Sequence, residues 1–174
     1  MVNAPPDADL QGMKALADEV DLLTTAAPME SSDDLRQQLK RKEQELRVKV
    51  SAGERSLAVE QARAALNGKG GAELEGALRQ INSFNDEESR RLGFQLGLRR
   101  DMDGVLEDLE QLEKLTDPVL KEYGLAKLNQ TVMDLRLRVA VNVPKLGAPE
   151  KATERLFVIE KSISSGHEKI VKIR

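Results

Sequence analysis

The sequence has no cysteine, no tryptophan and a single histidine among its 174 residues. The lack of cysteine excludes disulfides, cysteine-ligated zinc, iron–sulfur clusters and thiol nucleophiles. The single histidine, His167, excludes sites built from several histidines and argues against a histidine-based catalytic triad. Neither a phosphate-binding loop nor the Glu-x-x-His pairs of a di-iron site are present. We therefore expect a protein with no enzymatic activity, no cofactor and no metal.

Aromatic residues are also scarce, at 2% of the chain, although the wider hydrophobic class makes up 40%. The strands of a β-sandwich or barrel are normally rich in aromatic and β-branched residues, so this composition favours helices. The chain is too apolar to be disordered throughout. No apolar run approaches the roughly 18 residues of a membrane-spanning helix, and no signal-peptide pattern opens the sequence. We expect a soluble, intracellular, all-α protein with no membrane contact.

Negative charge is concentrated at the N-terminus. Residues 1–34 hold eight acids and one base, and since the formal net charge is −3, the remaining residues carry +4. An acidic leader that contains prolines predicts a disordered segment over residues 1–30. Its apolar residues recur at helical spacing, so the segment can also fold onto a partner or onto its own domain. The mild positive charge of the remainder is too diffuse for a nucleic-acid surface, and we expect no direct binding of DNA or RNA.

Residues 31–67 are predicted to form one long amphipathic helix. Ser31 to Asp34 supply hydroxyl and carboxylate caps, followed by acids where the helix dipole favours them. The apolar pairs Leu35/Leu39 and Leu46/Val50 repeat every 11 residues, or about 3.67 residues per turn, which keeps a thin stripe on one side of a straight helix. Such a helix either lies along a bundle or pairs with a second chain. A flexible, glycine-rich turn follows it.

Residues 72–166 are predicted to form a bundle of short helices, because their leucines, valines and isoleucines step by three and four. Breaks are expected at Gly104 and Gly124, where glycine interrupts the helical pattern. Residues 142–149 contain two prolines and Gly147 and are expected to form a loop. The last helix is expected to end at Ser164-Ser165-Gly166, which leaves residues 167–174 as a tail whose structure stays open.

The clearest local signal is Thr116-Asp117-Pro118, a cap followed by proline at the first helical position. With a break at Gly124, the helix that starts there has barely two turns. Such a helix survives only through tertiary packing, so Leu120 is expected to face the core.

The order of these elements carries a family resemblance. A leucine-rich helix over residues 105–115 is followed by Thr116, Leu120, then Gly124-Leu125 and Lys127, and later by Leu135-Arg136. In this order the segment resembles the N-terminal (LW) domain of the transcription elongation factor TFIIS, which is shared by Elongin A, a Mediator subunit and the integrase-binding domain of lens epithelium-derived growth factor. The resemblance covers about residues 75–165. It departs from the family at Ala126, where the family has a second glycine, and the last helix lacks an aromatic and basic cluster.

The resemblance implies an adaptor that binds short linear motifs in transcription elongation and chromatin complexes, and hence a nuclear location; without it we expect a cytoplasmic protein. An apolar groove with a basic rim takes an aromatic anchor with acidic flanks. The implied partner-binding residues are Arg136, Arg138, Val139, Val141 and Lys145, although the alternating valines can equally pack inward.

A structural coiled-coil scaffold or oligomerisation protein is the competing interpretation, with a homodimer formed through the helix over residues 32–66. The sequence leaves open the partner, the oligomeric state, the role of residues 1–30 and the origin of the last eight residues.

Overall fold

The computed structural model describes residues 7–26, 33–68, 70–147 and 152–173, and 92% of these described residues are helical, with no strand among them. The all-α prediction is confirmed. Within this part of the chain the helices are α1 (Asp7–Ala26), α2 (Asp33–Asn67), α3 (Ala72–Ile81), α4 (Glu87–Lys114), α5 (Pro118–Leu146) and α6 (Ala152–Ile173). The chain divides into two compact units, an N-terminal unit, Met1–Glu60, and a C-terminal unit, Gln61–Arg174.

In the N-terminal unit, α1 lies antiparallel to α2. The Lys14 ammonium is 2.5 Å from a Glu54 carboxylate oxygen, and the Asp21 carboxylate is 3.6 Å from the Arg47 guanidinium. The later residue of α1 therefore pairs with the earlier residue of α2, which shows that the two helices run in opposite directions. A hydrogen bond and the negative charge of Glu43 raise the pKa of Arg47. The expected disordered leader is not confirmed, because Asp7–Ala26 form a helix against the chain's own α2. The rest of residues 1–30 lies outside the described residues.

The less exposed side of α2 follows a different repeat from the one that the sequence predicts. Between Leu39 and Gly53 its half-buried or buried positions step by three and four, and they are Leu39, Glu43, Leu46, Val50 and Gly53. Leu35, a member of the expected 11-residue stripe, is exposed. On α1 the matching positions from Leu10 to Thr24 also step by three and four. The seam therefore has heptad spacing, as expected where two helices pack along their length.

The C-terminal unit is built around α4, which packs against α3, α5 and α6, while α5 also packs against α6. The core consists of apolar side chains from the last three helices: Leu98, Met102, Val105, Leu109, Leu125, Leu128, Val132, Leu135, Ala152, Leu156, Ile159 and Ile163. The predicted start of α5 is confirmed. The Asp117 carboxylate accepts the backbone N–H of Val119 at 2.8 Å, and Pro118 occupies the first helical position.

Several predicted helix ends are wrong. Helices α4 and α5 run without a break through Gly104 and Gly124, and α6 continues past Gly166 to Ile173. At Gly124 an added methyl group would overlap the Leu112 side chain of α4, and at Gly166 it would come within 3.0 Å of Leu125. These two glycines let a leucine of a neighbouring helix approach closely, and packing outweighs their cost of about 1 kcal/mol in a helix.

The loop predicted over residues 142–149 is also wrong for its first half. Helix α5 extends to Leu146 with Pro144 inside it. Gly147 then ends the helix with a φ of 73°, a left-handed conformation that favours glycine. Residues 148–150 lie outside the described part of the chain.

Candidate functional site

All five residues predicted to bind a partner lie on α5, and they do not form one surface. Val139 is half-buried and packs against the core, whereas Val141 is exposed. Successive residues advance by about 100° around a helix, so positions 136 to 145 are distributed around it. The expected loop surface is therefore wrong, and the alternative that the valines pack inward holds for Val139.

The two predicted rim arginines are engaged within the chain. Arg136 donates to Glu160 of α6 at 2.5 Å, and Arg138 donates to Asp101 of α4, also at 2.5 Å. Because α4 and α6 are different neighbours of α5, the two arginines lie on different flanks of that helix. Sequence reasoning missed these pairs, since the acids are 24 and 37 residues away along the chain.

Helix α5 has a second apolar face, on the side turned away from the core. Its large apolar side chains there are between 56% and 73% exposed: Val119, Leu120, Tyr123, Met133, Leu137 and Val141. A row along this side steps by four and three, and we call it the outer row: Val119, Tyr123, Ala126, Gln130, Met133, Leu137, Ala140 and Pro144. This is the heptad spacing of a helix that packs along another helix.

The buried face of α5 accounts for a separate set of residues. Leu125, Leu128, Val132 and Leu135 are buried and step by three, four and three. Leu120 is not on this side; the prediction that it faces the core is wrong, because α5 is a long helix anchored by residues further along it. A helix that is apolar on two sides normally has both sides covered. The sequence contains the residues of the outer row at this spacing. They lie along one side only because α5 continues through Gly124 to Leu146 as a single helix.

Helix α4 fixes the ends of the helices around it through buried polar side chains. Arg99, only 4% exposed, donates to the backbone carbonyls of Ala65 (2.9 Å), Leu66 and Gly68 (2.5 Å), which lie at the C-terminal end of α2 and just past it. The buried Gln95 amide donates to the Leu146 carbonyl at 3.2 Å, at the end of α5. The Gln95 contact joins the last turn of α5 to α4, and the Arg99 contacts join the end of α2 to the same helix.

Acidic side chains of α4 complete this network. Asp103 lies 3.4 Å from Arg99 and 3.0 Å from Arg155 of α6, so one carboxylate bridges two cations. Next to it, a hydrogen bond from Arg100 to Asp101 raises the pKa of that arginine. Of these contacts, the one between Arg155 and Asp103 joins two helices of the C-terminal unit, α6 and α4.

Two other kinds of site are absent from the described part of the chain. No group of three or more His, Asp or Glu side chains there is arranged to hold a metal ion. No helix in the same described ranges combines the length and the hydropathy that crossing a membrane requires.

Comparison with known proteins provides no relative: no family model, no curated protein and no solved structure matches the chain. The resemblance to the TFIIS N-terminal domain therefore stays a prediction. The outer row of α5 is a candidate site on its geometry alone.

Proposed function

We propose that the protein is a non-enzymatic protein–protein interaction module that binds its partner through the outer row of α5. One observation carries the proposal: six large apolar side chains on one helix are more than half exposed, although the opposite side of that helix is buried. Monomeric proteins rarely leave a large continuous apolar patch in water, and such patches mark interaction sites. A partner helix or extended segment that covers the row removes this area from solvent.

The seam of α2 is a weaker candidate for the same role. Helix α1 lies along it, and Val50 and Ala17 line the same groove between the two helices. The scaffold alternative, in which the helix over residues 32–66 dimerises, needs a surface that α1 of the same chain occupies. This difference favours α5 as the binding helix.

The predicted class of partner follows from the resemblance stated above. An adaptor of that family binds short acidic and aromatic motifs of elongation or chromatin factors in the nucleus, and we keep this class as a proposal. On α5, exposed Lys127 and Lys145 lie beside the outer row and provide positive charge for acidic flanks. Arg136 and Arg138 are less suited to that role, because each already pairs with an acid of the same chain.

The test compares Leu137→Glu with the matched variant Val48→Glu. Leu137, on α5, is 65% exposed, and Val48, on α2, is 63% exposed. The two substitutions therefore introduce the same negative charge at similarly exposed positions. We expect affinity capture from cells, read by mass spectrometry, to lose its specific partners with Leu137→Glu and to keep them with Val48→Glu. Circular dichroism checks that both variants stay folded. Equal recovery with both variants and the parent chain would place the binding surface elsewhere.

A further inference from the structure

We infer that the outer row of α5 pairs with the outer row of a second copy of this chain, with the two α5 helices antiparallel. The inference rests on the proposed function, in that the outer row is an interaction surface, and it assigns a second copy of this chain as the occupant in place of an acidic and aromatic motif. It starts from the heptad spacing of the outer row, which lets two such rows interlock along their length. The row extends from Val119 to Pro144, about 38 Å at 1.5 Å per residue, so the contact covers nearly the whole helix.

Side-chain sizes along the row fit this antiparallel arrangement. When Gln130 lies opposite Met133 of the second copy, Tyr123 lies opposite Ala140 and Leu137 lies opposite Ala126. Tyr123 and Leu137 then each face an alanine, which allows the two helices to pack closely in these layers. A parallel pair instead places Tyr123 against itself and Ala126 against itself, which crowds one layer and leaves a gap in another.

Residues beside the row agree with the same register. On one flank, Lys127 faces Asp134 of the second copy, and Leu120 faces Val141. The twofold axis repeats each pair, so two opposite-charge pairs form and four exposed apolar side chains become covered. On the other flank, Asn129 faces Arg136, so no like charges oppose each other there. The large exposed apolar side chains of α5 are thereby all engaged.

Charge reversal tests the pairing directly. Lys127→Asp puts Asp against Asp across the twofold axis, and Asp134→Lys puts Lys against Lys, so each variant alone repels itself. In an equimolar mixture, the two variants restore both opposite-charge pairs in a mixed dimer. We expect sedimentation velocity to show a dimer for the parent chain, about tenfold weaker association for each variant, and recovery in the mixture. Lys40→Asp, an exposed reversal on α2, is the matched control and keeps the dimer.

Orientation is tested by cross-linking, since the chain has no cysteine of its own. A chain carrying both Tyr123→Cys and Ala140→Cys should form a disulfide-linked dimer on oxidation, because these positions face each other in the antiparallel pair. Each single variant should not, since two copies of either position then lie about 26 Å apart. Efficient cross-linking of Tyr123→Cys alone would indicate parallel helices and overturn the inference.

The inference and the proposed function can fail separately. A parent chain that is monomeric at every concentration overturns the inference. If Leu137→Glu nevertheless loses a captured partner of a different sequence, the outer row remains an interaction surface and only its occupant is wrong. If the chain is monomeric and Leu137→Glu also loses nothing, both proposals fail.

Discussion

The two units of this protein use the same kind of helix but hold their helices together differently. In the N-terminal unit, the seam between α1 and α2 is mostly half-buried and includes Glu43, and exposed ion pairs such as Lys14 with Glu54 join the helices. In the C-terminal unit, a continuous core of buried apolar side chains joins α4, α5 and α6. Exposed ion pairs contribute about 0–1 kcal/mol each, whereas burying one large apolar side chain contributes about 1.5–3 kcal/mol.

The comparison shows that helix length and stability are separate quantities. With 35 residues α2 is the longest helix described, yet a pair of helices removes little apolar surface from water. The shorter α4, of 28 residues, packs against α3, α5 and α6, and its buried Arg99 also bonds to the end of α2. We therefore expect the C-terminal unit to resist local unfolding better than the N-terminal unit.

Removing the buried arginine is the strongest way to break the C-terminal unit. Arg99→Leu removes one of the two cations that contact Asp103 and takes the guanidinium donors away from the Leu66 and Gly68 carbonyls, which should cost about 3–5 kcal/mol. Urea unfolding followed by circular dichroism measures this loss. Arg100→Leu is the control, because Arg100 is half exposed and should change stability by about 1 kcal/mol or less. An Arg99→Leu protein as stable as the parent would mean that the hydrogen bonds from Arg99 to the end of α2 do not contribute to the free energy of unfolding.

Matched leucine truncations in the two units sharpen the comparison. Leu135→Ala removes a buried core side chain and should cost about 2–5 kcal/mol. Leu46→Ala removes a half-buried side chain of the seam and should cost about 1 kcal/mol. Hydrogen exchange assigns each loss to its unit, with faster exchange in α5 for the first variant and in α2 for the second. Equal losses would indicate that the seam is as well packed as the core.

The smallest effect is expected for Leu120→Ala. Leu120 is 56% exposed, so its truncation should leave the free energy of unfolding of the monomer within about 0.5 kcal/mol. The control is Leu128→Ala on the same helix, which removes a buried side chain and should cost about 2–5 kcal/mol. Thermal melting at low protein concentration measures both. A large loss of stability for Leu120→Ala would indicate that Leu120 is buried in the core.

The fold class and the start of α5 were predictable from the sequence, whereas most of the corrected helix ends depended on contacts between distant segments. The sequence predicts that helices end at Gly124 and Gly166, because it does not reveal that Leu112 and Leu125 pack against these glycines. The candidate site was likewise predictable only in part, because contacts between distant segments decide which of its residues are free. The predicted residues lie on the helix that presents the outer row, but Arg136 and Arg138 are engaged by acids of α6 and α4.

The sequence by itself determined that this chain is helical and that α5 begins at Pro118, because composition, spacing and the Asp117 cap act over a few neighbouring residues. Only the tertiary structure decided that α1 lies on α2, that Arg99 caps the end of α2, and which side of α5 faces the core. Both sides of α5 carry apolar residues at helical spacing. The choice between them depends on α4 and α6, since a side is buried only where other helices supply the surface that covers it.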